Sequence, residues 1–206
     1  VVSYGDGYFN FAYQKLDMSS RAKALARLNA FAQSQGAQFF YVQAPIKASP
    51  TEDLMSLHIR DHANENGDQL LAMLKADGID YLDLRPILGE GKTPQEYHQM
   101  FFRTDHHWLP QTAVRAAYII GQKLARDCGI EVDLSQLSLA KYDIEMKDGL
   151  FLGSSGKKVT LARTKPDDFP ILHPKESTHF FMNWYGLRND QAGPLEIAYD
   201  SREIAI

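Results

Sequence analysis

The sequence predicts an α/β domain, a parallel sheet with flanking helices, continued by a β-rich C-terminal extension. Three observations carry this. Residues 38–44 are a continuous apolar and aromatic run ended by Pro45, the make-up of a buried strand. A helical period precedes the run, and a second helix and a second short strand at 79–84 follow it, the order of parallel strands joined by right-handed crossovers. After about Asp133, helical periodicity gives way to turn residues, among them Gly149, Gly153, Gly156, Pro166, Pro170 and Pro174.

Residues 1–18 are rich in Tyr, Phe and Gly, with Gly5-Asp6-Gly7 reading as a turn beside a short strand at 8–11. Ser19 or Ser20 offers an N-cap, Leu25, Leu28 and Phe31 recur at helical spacing, and Gly36 closes the helix. A second helix is expected at 69–75 on Leu70, Leu71 and Leu74, ending near Gly78. The loop 89–104 holds at most a helical turn at 95–101. Pro110 suits the first turn of a third helix, whose core stripe reads Val114, Ala117, Tyr118, Gly121, Leu124 and Ala125. Short strands are expected at 158–162, 179–184 and 195–199. This divides the chain into an α/β domain at 1–133 and a β-rich extension of the same domain at 134–206.

Composition narrows the function. The 206 residues carry a net charge of -4 with no Lys/Arg-rich run, so no grip on nucleic acid or an anionic membrane is indicated. The single cysteine, Cys128, excludes an intrachain disulfide and a Cys-rich zinc site. No apolar stretch approaches a membrane span, and no signal peptide is visible. The first residue is Val1 rather than Met, so a removed leader or anchor is an expectation.

The informative segment is Asp105-His106-His107-Trp108, between a loop and the Pro110 helix. In an extended backbone Asp105 and His107 share a face while His106 points away. A carboxylate beside an imidazole fixes its tautomer and stabilises the imidazolium formed when the other nitrogen takes a proton from a nucleophile. On spacing alone the plainer alternative stays open, a helix-entry loop whose Asp and His satisfy backbone groups.

The string Phe102-Arg103-Thr104-Asp105-His106-His107-Trp108, with Pro110 and Ala113, resembles the DHHW family of bacterial proteins. That family is related to the SGNH-like O-acetyltransferase domains of the alginate acetylation machinery. Its usual form runs Arg-Thr-Asp-His-His-Trp-Thr-Pro-x-Gly-Ala. The Gly-Asp-Gly-Tyr opening, Lys47 after Pro45, and Phe151-Leu152-Gly153-Ser154 add looser matches. The resemblance implies an SGNH-hydrolase-like (flavodoxin-like) sheet and an acid–base pair at Asp105 and His107, with Trp108 packed beneath it. It implies serine attack on an acetyl donor, then transfer to a sugar hydroxyl (acetyltransferase) or to water (acetylesterase). A carbohydrate polymer and an acetyl donor are the implied partners, with membrane-associated acetylation machinery; no cofactor or metal is required, and export to the periplasm or cell surface follows. Arg103, His106, Trp108 and Lys47 are the candidates for substrate contact. Two positions depart from the pattern: Leu109 replaces a capping threonine, and Thr112 replaces a glycine, which is expected to tighten the approach to the pocket.

The nucleophile is not evident. Ser201 follows an apolar strand but only five residues come after it, too few for a supporting helix. Ser154 and Ser155 lie between Gly153 and Gly156 in what reads as a flexible turn with no helix after it. The expectation is a serine beyond Ile206. Two other classes compete. One is a non-catalytic carbohydrate-binding or envelope scaffold using Tyr4, Tyr8, Phe9, Tyr13, Trp184 and Tyr185. The other is a metal-binding hydrolase gathering His98, Asp105, His106 and His107, disfavoured because adjacent histidines in an extended chain do not readily share one ion. His58 and His62, four apart, read as a solvated helix face.

Overall fold

A computed structural model describes residues 1–50 and 59–175, together with two C-terminal strands, His179–Tyr185 and Pro194–Asp200. The chain opens with a short antiparallel pair, β1 (Val2–Ser3) and β2 (Phe9–Asn10), turned by Gly5-Asp6-Gly7. Helix α1 (Ser19–Ser34) has no side-chain cap from either serine. Asp17 instead accepts from the backbone N–H and the hydroxyl of Ser19, each at 2.9 Å. Gly36 ends the helix region at φ +71°, a conformation that glycine adopts without penalty. Leu25 packs inward, but Leu28 and Phe31 face solvent, so the apolar period overstates the core face.

Strand β3 (Tyr41–Gln43), helix α2 (Ala63–Ala76) and strand β4 (Tyr81–Asp83) follow, with β3 and β4 parallel as predicted. Their register places Tyr41 opposite Tyr81 and Val42 opposite Leu82. Alternation then sends each pair to its own face. Tyr41 and Tyr81 join Met18, Ala22, Leu70, Leu71, Leu74 and Ile79 under α1 and α2. Val42 and Leu82 join a second core of Leu84, Leu88, Tyr97, Met100, Phe101 and Ala116. That second core comes from α3 (Leu84–Gly89), α4 (Pro94–His98) and α5 (Pro110–Asp127), with Met100 and Phe101 from the segment after α4. The result is three layers, helix–sheet–helix, with the chain ends of β3 and β4 opening on the same side.

Helix α4 is set by a capping box, Thr93 and Glu96 exchanging backbone bonds around Pro94. In α5 the inward face is Ala116, Gly121 and Lys123 with Ile119 and Ile120 against the core; Tyr118 and Ala125 are exposed, which corrects the predicted stripe. After two 3-10 turns, β5 (Tyr142–Phe151), helix α6 (Ser154–Val159) and β6 (Asp167–Pro174) complete the described core. Strands β5 and β6 pair antiparallel, and neither is legible in the sequence because Pro170 and Pro174 read as turns. A two-stranded sheet leaves one edge of β6 free, where a missing N–H costs nothing. The strand expected at 158–162 is the end of α6 and a turn. The last pair, β7 (His179–Tyr185) and β8 (Pro194–Asp200), is antiparallel. A cluster of the rings of Phe102, Phe151 and Phe169, with centroids 4.7–5.6 Å apart and Phe102 stacked on Phe169, docks the β5–β6 pair onto the loop before α5. Among the described residues, no helix is long and apolar enough to cross a membrane.

Candidate active site

The loop that carries Asp105 and His107 is bent, not extended. An antiparallel bridge between Phe101 and Trp108 closes it, with Phe102 N–H donating to the His107 carbonyl at 3.1 Å and Leu109 N–H to that of Met100 at 2.8 Å. Inside it, Asp105 Oδ1 accepts the His107 backbone N–H at 3.0 Å, an Asx-type turn, and the His107 Nδ1–H at 2.5 Å. The turn, rather than strand alternation, brings the pair together. For the same reason His106 does not point away: its Nδ1 lies 3.4 Å from Asp105 Oδ1, and the two imidazole rings are 4.0 Å apart. With Nδ1 donating to the carboxylate, His107 keeps a free lone pair on Nε2, and its side chain is 67% exposed.

Asp105 itself is 4% exposed and held from behind. Its Oδ2 accepts the Ser154 backbone N–H at 2.6 Å. Thr104, fully buried, donates its N–H and hydroxyl to Asp167 Oδ2 at 2.8 and 2.7 Å. It also accepts from Gly153 N–H at its hydroxyl (3.0 Å) and from Gly156 N–H at its carbonyl (2.9 Å). The start of α6 is therefore seated on the back of the loop. Burial pushes the Asp105 carboxyl up, but the backbone N–H groups of Ser154 and His107, the His107 ring and the Ser154 hydroxyl outweigh it and hold the group well below the usual range. The carboxylate is ionised at neutral pH. Removing Asp167 leaves both Thr104 donors buried without an acceptor, so Asp167→Ala should lower stability by about 3 kcal/mol in denaturant unfolding. A loss under about 1 kcal/mol would show that the seat is not built as described.

The remaining sequence candidates fall into two groups. Arg103 faces the C-terminal region: Nη1 donates to Thr164 Oγ1 at 2.7 Å, Nη2 to the Lys165 carbonyl at 2.5 Å, and Nε lies 3.4 Å from Asp167 Oδ1. Lys47, a candidate for substrate contact in the sequence, is instead 1% exposed, its Nζ directed at the carbonyls of Phe9, Arg103 and Asp105. Trp108 is half-buried, packed on the second core at the edge of a cleft. Ser154 is near, but on the Nδ1 side of the pair: its amide binds Asp105 and its Oγ is 3.2 Å from His106 Nδ1. The expectation that no helix follows this serine is overturned by α6. Thr112 donates its hydroxyl to the Met100 carbonyl at 2.9 Å, bracing the loop rather than narrowing the pocket, and Leu109 supplies no cap. Ser201, His58 and the side chains of Trp184 and Tyr185 lie outside the described residues.

A cleft of about 320 Å³ opens at the carboxyl end of β3, lined by Tyr13, Pro45, Ile46, His106, His107 and Trp108, the place where α/β sheets hold ligands. Of these, Tyr13 is among the aromatics that the carbohydrate-binding reading names, whereas Ile46 is not singled out in the sequence, and spacing gives no signal for it. A larger groove of about 580 Å³ shares both residues and runs between α1 and α2, away from the imidazoles. Donor atoms of Asp105, His106 and His107 all lie within 4.8 Å of one another, so the three side chains do converge. Two ligands on one tetrahedral zinc sit about 3.4 Å apart, given bonds near 2.1 Å. The 2.5 Å between His107 Nδ1 and Asp105 Oδ1 is that of a shared proton instead. His98 does not join them; its Nδ1 pairs with Asp6 at 2.6 Å beneath Tyr4.

The fold is similar to that of PatB1 from Bacillus cereus, with a TM-score of 0.69 at 20% identity over 96% of this chain and 65% of that one. A second structure of PatB1, carrying a sulfonyl adduct, gives 0.67 at the same identity, over 96% and 64%. The O-acetyltransferase domain of Pseudomonas putida AlgJ gives 0.53 at 18% identity, over 83% and 62%. The chain thus spans just under two thirds of the length of these proteins, and at these identities the likeness is one of fold. No curated protein sequence matches it. The family model for the SGNH hydrolase-like domain of the acetyltransferase AlgX matches residues 6–167, the stretch from the Asp6 turn to the Asp167 seat, and the chain belongs to that family.

Proposed function

We propose that this chain supplies the Asp–His side of a serine-dependent O-acetyl transfer to a cell-envelope or exported polysaccharide. The observation that carries the reading is a buried, ionised Asp105 holding His107 Nδ1 at 2.5 Å while the ring stands open at a cleft. His107 Nε2 takes the proton of a serine hydroxyl as its oxygen attacks the acetyl carbonyl, and Asp105 stabilises the imidazolium. The imidazolium then returns the proton to the leaving group, giving an acetyl-serine. A sugar hydroxyl attacks the acetyl carbon next, His107 taking its proton and passing it to the serine oxygen as the acetyl–serine bond breaks; water in its place makes the reaction an esterase. The serine comes from outside the described residues. Family membership and the fold shared with an O-acetyltransferase domain support this reading. The narrower resemblance of residues 103–108 to DHHW proteins, an exported location, and membrane-associated acetylation machinery as partner belong to the same proposal.

PatB1 is known with a sulfonyl adduct, which makes a sulfonyl fluoride the natural probe here. The full-length protein should be labelled on one serine, located by peptide mapping, and His107→Ala should lose the labelling. Equal labelling in the variant would refute the assignment. The convergence of Asp105, His106 and His107 favours a metal-dependent hydrolase as the second reading. Under the serine reading a chelator leaves ester turnover unchanged; loss on chelation with recovery on added zinc would favour the metal.

A further inference from the structure

Lys47 is a buried cation that the proton-transfer steps above do not use. Its ammonium is directed at three main-chain carbonyls from two separate segments: Phe9 at 2.7 Å in β2, and Arg103 at 3.3 Å and Asp105 in the active-site loop. Only lysine carries three N–H donors on one atom, and three acceptors meet them here. One of those acceptors belongs to Asp105 itself, whose carboxylate is fixed at its other end by Ser154 and His107. Phe9 N–H also donates to the Arg103 carbonyl at 3.0 Å, so β2 and the loop are joined twice at this point. We propose that Lys47 is a positioning residue, a buried staple that fixes the Asp105 backbone and thereby aims its carboxylate at His107.

The staple is electrostatically tuned. Desolvation pulls the Lys47 ammonium down to about 7, against the opposing pull of Asp167, Asp105 and Asp6, while Arg103 adds to the lowering. Tyr8 lies alongside, its ring centroid 5.7 Å from Nζ. Loss of a proton leaves two donors for three carbonyls, so the loop loosens as pH rises through neutrality.

The inference rests on the reading of Asp105 and His107 as an acid–base pair, but its test does not require turnover. In Lys47→Met, the NMR signal of the His107 Nδ1 proton and the titration of the His107 ring should shift from wild type in the folded protein. In ester turnover kcat should fall about 100-fold with KM within about twofold, the expected size for a misplacement near 1 Å. A merely structural lysine would lower the melting temperature and move neither signal. Should Lys47→Met not fold, wild type suffices: the amide signals of residues 104–106 should titrate together with Lys47 Nζ. A folded variant with unchanged His107 signals and kcat, or loop amides flat through the Lys47 titration, overturns the proposal. Turnover retained in His107→Ala would instead sink the acid–base reading while leaving the coupling of Lys47 to the loop intact.

Discussion

Gly153→Ala should reduce ester turnover by about 100-fold or more, although residue 153 lies outside the proposed acid–base pair. A Cβ at this position would stand 2.2 Å from Asp105 Cβ, 2.7 Å from its Oδ2 and 2.7 Å from the Thr104 carbonyl oxygen. None of these is the far end of a flexible side chain, so either the loop or the start of α6 must move. Both moves break the Ser154 N–H bond to Asp105 Oδ2 and the Gly153 N–H bond to Thr104. Overpacking of this kind costs about 1–3 kcal/mol of stability, and the displaced carboxylate no longer steers His107. Gly149→Ala is the control. Unlike Gly153, at φ -71°, it sits at positive φ, +57°, and a Cβ there meets nothing within 4 Å, so the change should cost about 1 kcal/mol and leave turnover alone. Wild-type turnover and stability in Gly153→Ala would mean that α6 does not sit on the catalytic loop.

That dependence was not legible in the sequence, and the reason is physical. The seat is built from backbone amides of residues 153, 154 and 156, which leave no trace in residue type, and a glycine in Gly-Ser-Ser-Gly reads as a turn. The parallel pair was legible because residues 38–44 and 79–84 must be apolar on both faces to lie between two helical layers. The Asp105–His107 pair was legible from its string, yet the route to it was not. Strand alternation would have turned His106 outward, whereas the Phe101–Trp108 bridge bends the loop and gathers all three side chains. Arg103 and Lys47 are candidates for substrate contact in the sequence, Lys47 because it follows Pro45 at a strand's carboxyl end and Arg103 as part of the string at 103–108. Here Lys47 is spent on three main-chain carbonyls and Arg103 on the Thr164 hydroxyl, the Lys165 carbonyl and the Asp167 carboxylate, partners that only the three-dimensional fold brings together.

The family resemblance therefore has an uneven physical content along the string. Arg103 and Thr104 tie the loop to Thr164, Lys165 and Asp167, Asp105 and His107 form the hydrogen-bonded pair to which we assign proton transfer, and Trp108 anchors the loop to the second core. Three kinds of constraint, on one face a tether, in the middle a reacting group, on the other a core contact, meet in six consecutive residues. The β-rich region is part of this arrangement, since it supplies the acceptors for Arg103 and Thr104.

In Asp105→Asn, kcat should fall about 10⁴-fold with the fold preserved. The Asn carbonyl oxygen can still accept the Ser154 N–H, but its NH₂ then faces His107 Nδ1. Nδ1 must become the acceptor, the proton moves to Nε2, and the nitrogen that should receive the serine proton is already occupied. The same variant should alter acid stability in a definite direction. In the folded protein the Asp105 carboxyl is held below its ordinary value of 3.8. It therefore contributes stability that is fully present above that value and drains away as pH falls through the lower folded value. Asparagine has no proton to gain, so wild type should lose stability relative to Asp105→Asn on acidification below about pH 4, whereas a difference that develops near neutrality reports Lys47, whose ammonium the Asp105 charge supports. Unfolding by denaturant at a series of pH values reads both limbs. A pH-independent difference, together with turnover within tenfold of wild type, would show that the carboxylate at 105 is a backbone cap and not the partner that orients His107.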